Sequence, residues 1–540
     1  MKKISGNIID VIDRRIYKGE ITIENGKITT IENCDDVDNV YILPGLIDAH
    51  IHIESSMLIP SEFAKLAVVH GTTATVSDPH EIANVLGVAG IDYMINDGKQ
   101  VPLKFNFGCP SCVPATGFET SGASLSAKDI EKLIQRDDLS YLSEMMNFPG
   151  VIYADGEVMN KIKAAQTVNK PIDGHAPTLT GDSLIKYANA GITTDHESST
   201  AEEAIEKIKL GIKLLIREGS AAKNFEALNG ILDKFPDDVM LCSDDLHPDD
   251  LLNGHINLLI KRALDKKLDL FNVLRAATYN PVKHYKLNSG LLQIGDAADM
   301  IIIDNPYKFN VLKTYIDGEL VNDAGKVNIK YKNEHLITNF NAQKITAPDL
   351  ELKAKSKSAQ AIGIIVGDLY TKKIIVEPLI ENGLVVSDIK NDVLKIVVIN
   401  RYVPAKPVIG LVKNFGIKNG AVASSVAHDS HNIIAIGAND ADLLSAINKL
   451  IESKGGLVVC ENNQFIELPL PVAGLMSNQN GEIVAEKYQQ INNEVKRLGS
   501  KLHAPLMSMS FLALLVIPEI KIGDKGLFDV IKFEFTELFI

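Results

Sequence analysis

Eight times between Leu43 and Asp245 a short apolar run gives way to a polar loop and then to a helical stretch. The runs are "LPGLIDAHIHI", "TTATVSD", "LKFNFG", "LSYLSE", "KPIDGHA", "GITTDHE", "IKLLIREG" and "VMLCSDD". Such alternation marks parallel βα units. Eight units suit a closed barrel, which typically takes about 250 residues; a doubly wound open sheet is the other arrangement of the same units. The barrel is preferred because polar, metal-competent residues end most of the runs, and barrel sites form at the C-terminal ends of the strands. The expected fold class is α/β, a (β/α)8 TIM-type barrel at residues 45–287.

The flanks read differently. "GEITIENGKITTIE" alternates apolar and polar positions around Asn25-Gly26, a hairpin signal because both residues tolerate positive φ. "GLLQIGDAADMIIIDN" returns to strand character after the barrel, as though completing the sheet begun by the N-terminal segment. Residues 341–540 form a further α/β domain, with a helix in "ANDADLLSAINKLIESKGG" that opens on Asn or Asp and stops before Gly. A chain of 540 residues needs more than one core.

Composition narrows the partners. A net charge of −14 with no dense Lys/Arg run argues against a nucleic-acid surface. No window approaches the roughly 18 uninterrupted apolar residues of a membrane span, and the opening Met-Lys-Lys-Ile-Ser-Gly leads into polar strand sequence rather than an apolar signal core. Five cysteines (Cys34, Cys109, Cys112, Cys242, Cys460) are too few and odd in number for a disulfide framework. A cytoplasmic protein acting on a free small molecule is expected.

His50 and His52 lie two apart on a strand, so both side chains share a face and can hold one divalent ion through neutral nitrogens. His175 and His196 end strands of their own. Four imidazoles at one level are hard to bury without partners, which favours metal ligation over satisfied core histidines. Asp244 and Asp245 end the last strand; Asp244 is the preferred catalytic carboxylate, and Asp245 is suited to capping the helix that follows. A second ion needs a bridging carboxylate from mid-barrel. Glu144 ends the fourth strand, whereas Glu157 opens a helix and suits its dipole, so Glu144 is preferred. His80 and Glu81 in "DPHEIANV" contact substrate or relay protons, or else merely open a capped helix. Arg217 stands at the mouth as a substrate contact or a rim ion pair. His428, Asp429 and His431 in "SVAHDSHN" are read as a hydrogen-bonded turn in preference to a separate metal site. "HIE" with "CPSC" is a poor match to the H-x-E and P-C-x-x-C signature of zinc nucleobase deaminases, because Gly108 precedes Cys109 and "HIE" is strand-like.

Taken together, "PGLIDAHIHIESS", "DPHEIANV", "SCVPAT", "EMMNFPGV", "DGHAP", "TDHE", "REGSAA", "CSDD", "ATYNP" and "GLLQIGDAADMIIID" resemble the adenine deaminases of the amidohydrolase superfamily. "SSVAHDSHNIIAIG" and "LPLPVAGLMS" are similar to that family's additional C-terminal domain, so the resemblance covers nearly the full chain. It implies a barrel flanked by a small β-sandwich of residues 1–44 and 288–340, and a binuclear divalent site of Mn2+ or Fe2+, with Zn2+ admitted by the same ligands. His50 and His52 would bind one ion and His175 and His196 the other, with Glu144 bridging and Asp244 completing the first. It implies attack on C6 of adenine by a metal-held hydroxide, with Asp244, Glu144 and His80 moving protons and Glu119, Arg217 and Glu81 near the substrate. Hypoxanthine and ammonia are the products, as in purine salvage. A homo-oligomer, such as a dimer, is a family-based expectation only. The alternatives are a superfamily hydrolase acting on a cyclic amide or an N-acyl amine, and a non-catalytic barrel scaffold. The scaffold is disfavoured because all six expected ligands are present.

Overall fold

A computed structural model describes all 540 residues, Met1–Ile540. Its backbone contacts divide into two compact units. The first comprises Met1–His80, Asp92–Cys112 and Leu125–Asn333; the second comprises Glu81–Ile91, Val113–Ser124 and Glu334–Ile540. Two short segments within the span read as barrel thus group with the C-terminal part of the chain. No helix is long and apolar enough to cross a membrane.

In the first unit eight parallel strands form a ring: β1 Leu46–Ile51, β2 Thr72–Ser77, β3 Lys104–Phe107, β4 Leu142–Met145, β5 Ile172–Gly174, β6 Thr194–Asp195, β7 Lys213–Arg217 and β8 Val239–Cys242. Each coincides with one of the eight apolar runs. β1 pairs with β2 and β2 with β3, a parallel bridge from Cys109 to Leu142 joins β3 to β4, and β4 pairs with β5. The Thr193 amide donates to the Ile172 carbonyl (2.8 Å), carrying the ring to β6, and β7 and β8 follow in parallel register. A parallel bridge between Ile51 and Asp244 closes it.

Alternation along the strands decides which side chains fill the ring. Leu214, Ile216, Val239 and Leu241 pack outward with Phe225, Leu232 and Ile260 of the surrounding helices. Their neighbours Leu215, Met240 and Cys242 join Ile47, Ala49, Ala74, Val76 and Tyr141 in a separate cluster. That is the period-two division of a pleated strand between two cores. Gly45 precedes β1 because a Cβ there would lie 2.1 Å from the Thr73 hydroxyl; only glycine lets the two strands approach.

Beside the ring, one eight-stranded sheet draws on both flanks of the chain. Its order begins with the strands from 326–327 back to 300–303, continues through 41–44 and 2–10, and ends with 15–24 and 27–33. It folds over an apolar filling of Ile8, Ile21, Ile23, Ile28, Ile42, Met300 and Ile302. The hairpin turn falls at Asn25 (φ 50°) and Gly26 (φ 79°), as the dipeptide predicts.

The second unit holds another eight-stranded sheet, from Thr371–Val376 at one edge to Gln464–Pro469 at the other. Helix Asp440–Ser453 packs on it through Leu443, Ile447 and Leu450. Asn439 caps that helix by accepting from the Asp442 amide, and Lys454 in the left-handed region ends it, one residue before the glycine the sequence singled out. A three-stranded sheet, 520–523, 526–529 and 534–536, completes the unit. Its Lys521 is wholly buried, donating to the Leu369 and Phe511 carbonyls at 2.9 Å. Burial pulls its ammonium down from the ordinary 10.5 to about 7, with Asp368 opposing the shift.

Two outcomes follow. Leu274→Ala, which empties part of the outer barrel core, is expected to lower unfolding stability by roughly 2–5 kcal/mol in a urea titration. Between pH 7 and 10.5 the unfolded chain keeps the Lys521 proton that the folded chain has lost, so stability rises with pH across that window. Lys521→Met is expected to remove this slope when melting is followed against pH; an unchanged slope refutes the assignment.

Candidate metal centre

Six residues named by the sequence converge at the C-terminal ends of the ring. His50 is the penultimate residue of β1 and His52 lies just past its end. The β1–β2 pairing shifts register between Asp48 and Ile51, an irregularity that re-aims side chains at a barrel rim. Glu144 lies in β4, His175 and His196 directly follow β5 and β6, and Asp244 stands two residues past β8.

The donors form two groups joined by one carboxylate. Asp244 Oδ1 lies 3.6 Å from His50 Nε2 and 3.4 Å from His52 Nε2. Glu144 Oε2 lies 2.7 Å from His175 Nδ1 and 3.3 Å from His196 Nε2. The other oxygen of Glu144, Oε1, turns to His52 Nε2 at 3.3 Å. Glu144 therefore stands between the His50–His52–Asp244 set and the His175–His196 pair. Glu157 does not join them: its carboxylate accepts from the Ala127 amide across two helix starts.

Burial and protonation suit a cation. Both ring nitrogens of His50 are fully buried without a hydrogen-bond partner, a costly state for polar atoms unless something else takes up the lone pair. Burial lowers the His50 pKa, favouring the neutral ring that a metal needs. His52 Nδ1 lies 3.2 Å from the Asp78 carbonyl, which selects the tautomer with Nε2 free to ligate. Burial alone would raise Glu144 and Asp244. Instead His175, His196 and His52 hold Glu144 well below the carboxylate range, and Arg217 with His50 and His52 does the same for Asp244. Against burial, the carboxylates raise the other three rings in turn: Asp244 and Glu144 raise His52, Glu197 and Glu144 raise His175, and Glu144 and Glu197 raise His196 to about 10, so these rings give up protons when a divalent ion takes their place beside the carboxylates.

Several contacts fasten this set. The Asp48 carboxylate accepts from the Ser243 hydroxyl, the Ser243 amide (3.0 Å) and the His50 amide (3.2 Å), and lies 2.8 Å from His255 Nε2. It thereby ties β1 to the segment leading to Asp244. His80 opens helix His80–Leu86, its ring 3.1 Å from Asp78 and 3.5 Å from Glu144 Oε1. Arg217 is an ion-pair residue here: it binds both oxygens of Glu197 and donates to Asp244 Oδ2 at 2.6 Å. Glu197, which the sequence reading passed over, also lies 3.3 Å from His196 Nε2 and 3.5 Å from His175 Nδ1. The signal was the carboxylate directly after a ligating histidine at a strand end. Asp245 accepts from the Ser55 hydroxyl (2.5 Å) and is not the cap of the following helix, which begins after His247.

Glu81 and Glu119 group with the second unit. There Glu81 accepts from both His428 and His431, while the Ala427 amide donates to His431 Nδ1 (3.2 Å). With Nδ1 accepting, the Nε2 of neutral His431 carries the proton and gives it to Glu81. His428 and His431 thus clasp the Glu81 carboxylate, and the three together form a buried donor set that could itself hold an ion. Glu119 accepts from the Ser430 hydroxyl (2.7 Å), and burial, reinforced by Asp429 and Asp524, pushes its carboxyl well above the usual range. Cys109 lies in the strand ladder with its thiol raised by burial to about 12, unsuited to ligate as a thiolate.

Residues 41–321 match the amidohydrolase family, and residues 368–534 match the adenine deaminase C-terminal domain. An adenine deaminase of Methanosarcina acetivorans is 54% identical, with all of both chains covered. Adenine deaminases of Borreliella burgdorferi and Salinibacter ruber are 50% and 48% identical, each with 99% of both chains covered. With identity at this level along the whole length, and with both family patterns in their expected order, the chain belongs to the adenine deaminase family of metal-dependent amidohydrolases.

Proposed function

We propose that this protein hydrolyses adenine to hypoxanthine and ammonia, a step of purine salvage, at a two-ion centre. The observation that carries the reading is Glu144, a buried carboxylate whose two oxygens face different histidine sets. His50, His52 and Asp244 would hold one ion, His175 and His196 the other, and Glu144 both. Imidazole and carboxylate donors suit Mn2+ or Fe2+, and Zn2+ as well. When bound, the ions supply an acidified water at neutral pH, since coordination lowers its pKa from about 15.7 to about 7.

The chain's own groups supply the rest. Arg217 occupies Asp244 Oδ2 and leaves Oδ1 turned toward His50 and His52. Asp244 Oδ1 is then the atom that takes a proton from the attacking water and returns it to the departing amine, so that ammonia leaves. His80, 3.5 Å from Glu144, is placed to pass a proton toward a ring nitrogen of the purine. Glu81 and Glu119 are the carboxyls assigned to hydrogen-bond a purine edge, the first fixed by two histidines, the second pushed well above the usual carboxylate range by burial.

The ring is read as a TIM-type barrel over residues 45–287, the shared sheet as a β-sandwich of 1–44 and 288–340, and 341–540 as the domain added in this family. Five free cysteines support a reducing, cytoplasmic setting. A homo-oligomer rests on the family resemblance alone.

Ammonia release from free adenine by manganese-loaded protein tests the reading. The wild-type protein is expected to form hypoxanthine, and Asp244→Asn to lower kcat by roughly 10²–10⁴-fold, the range of a lost general acid–base. A loaded protein inert on adenine but active on a cyclic amide overturns the substrate. Dialysis against a chelator is expected to abolish turnover, and added Mn2+ to restore it; turnover that survives verified metal removal refutes the metal requirement.

A further inference from the structure

Lys207 is the least expected charge in the barrel. It sits on helix Ala201–Lys209, only 1% exposed, with no solvent to stabilise its ammonium. Its three donors meet three acceptors: Asp195 Oδ2 at 2.8 Å, Glu203 Oε1 at 2.8 Å and the Ala176 carbonyl at 2.7 Å. Both carboxylates reach onward to backbone. Asp195 accepts from the amides of Ala176 (3.0 Å), Glu197 (3.2 Å) and Ser198 (3.0 Å) and from the Ser198 hydroxyl (2.8 Å). Glu203 accepts from the amides of Thr178 (2.9 Å) and Ser199 (3.1 Å).

These partners are not scattered. Ala176 and Thr178 belong to the loop that begins with His175; Glu197, Ser198 and Ser199 belong to the loop that begins with His196. The two loops leave neighbouring strands, and the strand pairing stops before the histidines. Beyond that point the lysine and its two carboxylates join one loop to the other. Tyr187, also wholly buried, extends the bracing: its hydroxyl accepts from the His175 amide and donates to the Met145 carbonyl beside Glu144, both at 3.0 Å. The His50–His52–Asp244 set has a separate fastening in Asp48 and His255.

We propose that Lys207, through Asp195 and Glu203, is a positioning residue for the His175–His196 half of the metal centre alone, so that its loss empties one ion position and spares the other. The proposal rests on the two-ion reading above. A carboxylate that orients ligands from behind typically contributes about 10–100-fold to metal affinity, and here one lysine sets two such carboxylates at once.

The test counts bound Mn2+ at equilibrium and records its electron paramagnetic resonance in full-length protein. Lys207→Met strands two buried carboxylates and risks misfolding. Lys207→Met/Glu203→Gln therefore accompanies it, removing one charge of each sign. Lys104→Met is the control: Lys104 pairs with Asp299 and Asp317 at the start of β3, away from the strand ends that carry the donors. The wild-type protein and the control are expected to bind two ions with a spin-coupled signal. The Lys207 variants are expected to keep one ion, with an isolated-ion spectrum, and to bind the second about tenfold or more weakly; Lys207→Arg recovers part of the loss. Folded variants that bind both ions as tightly as wild type overturn the proposal. So does failure of both Lys207 variants to fold when the control folds, since the lysine would then serve the fold at large. A wild-type protein that takes up one ion only refutes the two-ion reading, and the half-site assignment falls with it; two ions in wild type and in the folded variants refute the positioning role alone.

Discussion

A carboxylate buried among imidazoles sets the terms for this molecule. Glu144 is 3% exposed, and His52, His80, His175 and His196 all approach it within 3.5 Å. An ionised group so far from water is tolerable only where opposite charge or metal surrounds it. Those histidines come from four strand ends or the loops beyond them, so the carboxylate and the closed ring require each other. If the Ile51–Asp244 bridge or the Cys109–Leu142 bridge opened, partners of Glu144 would retreat and its charge would be stranded. The buried carboxylates around the rim repeat the pattern: Asp48 is held by Ser243 and His255, and Asp195 by Lys207 and three amides.

Much of this was legible in the chain because its signals are local. Each barrel strand is a short apolar run, and five of the eight runs carry the six donors near their ends. His50, His52, His175, His196 and Asp244 could be named without a structure because a strand end is both a position in sequence and a position at the barrel mouth. The hairpin at Asn25-Gly26 was equally plain, since the turn conformation is written in two residues.

What escaped has a different origin. Glu197 follows a named histidine, yet nothing in "TDHE" says that its carboxylate turns to Arg217, because that contact depends on the neighbouring strand. Arg217 itself read as a substrate residue or a rim ion pair, and only the arrangement of β6, β7 and the end of β8 gives it two carboxylates. The inclusion of 81–91 and 113–124 in the C-terminal unit has no local signal either: "HEIANVL" is an ordinary amphipathic opening whose partners lie hundreds of residues later. Glu81, with its nearest fixed contacts at His428 and His431, shows the scale of that separation.

That grouping bears on how such a chain is made. Reading from the N-terminus, the polypeptide passes between the two units five times before its last stretch, Glu334–Ile540, supplies most of the second. During synthesis, segments 81–91 and 113–124 leave the ribosome long before the residues they pack with exist. They must wait for those residues while the ring strands pair. A fragment ending near residue 333 would keep every metal-binding side chain yet leave both segments without their core, and a fragment beginning at 334 would lack two pieces of its own. The molecule is therefore indivisible at any single point, although each unit possesses a sheet of its own.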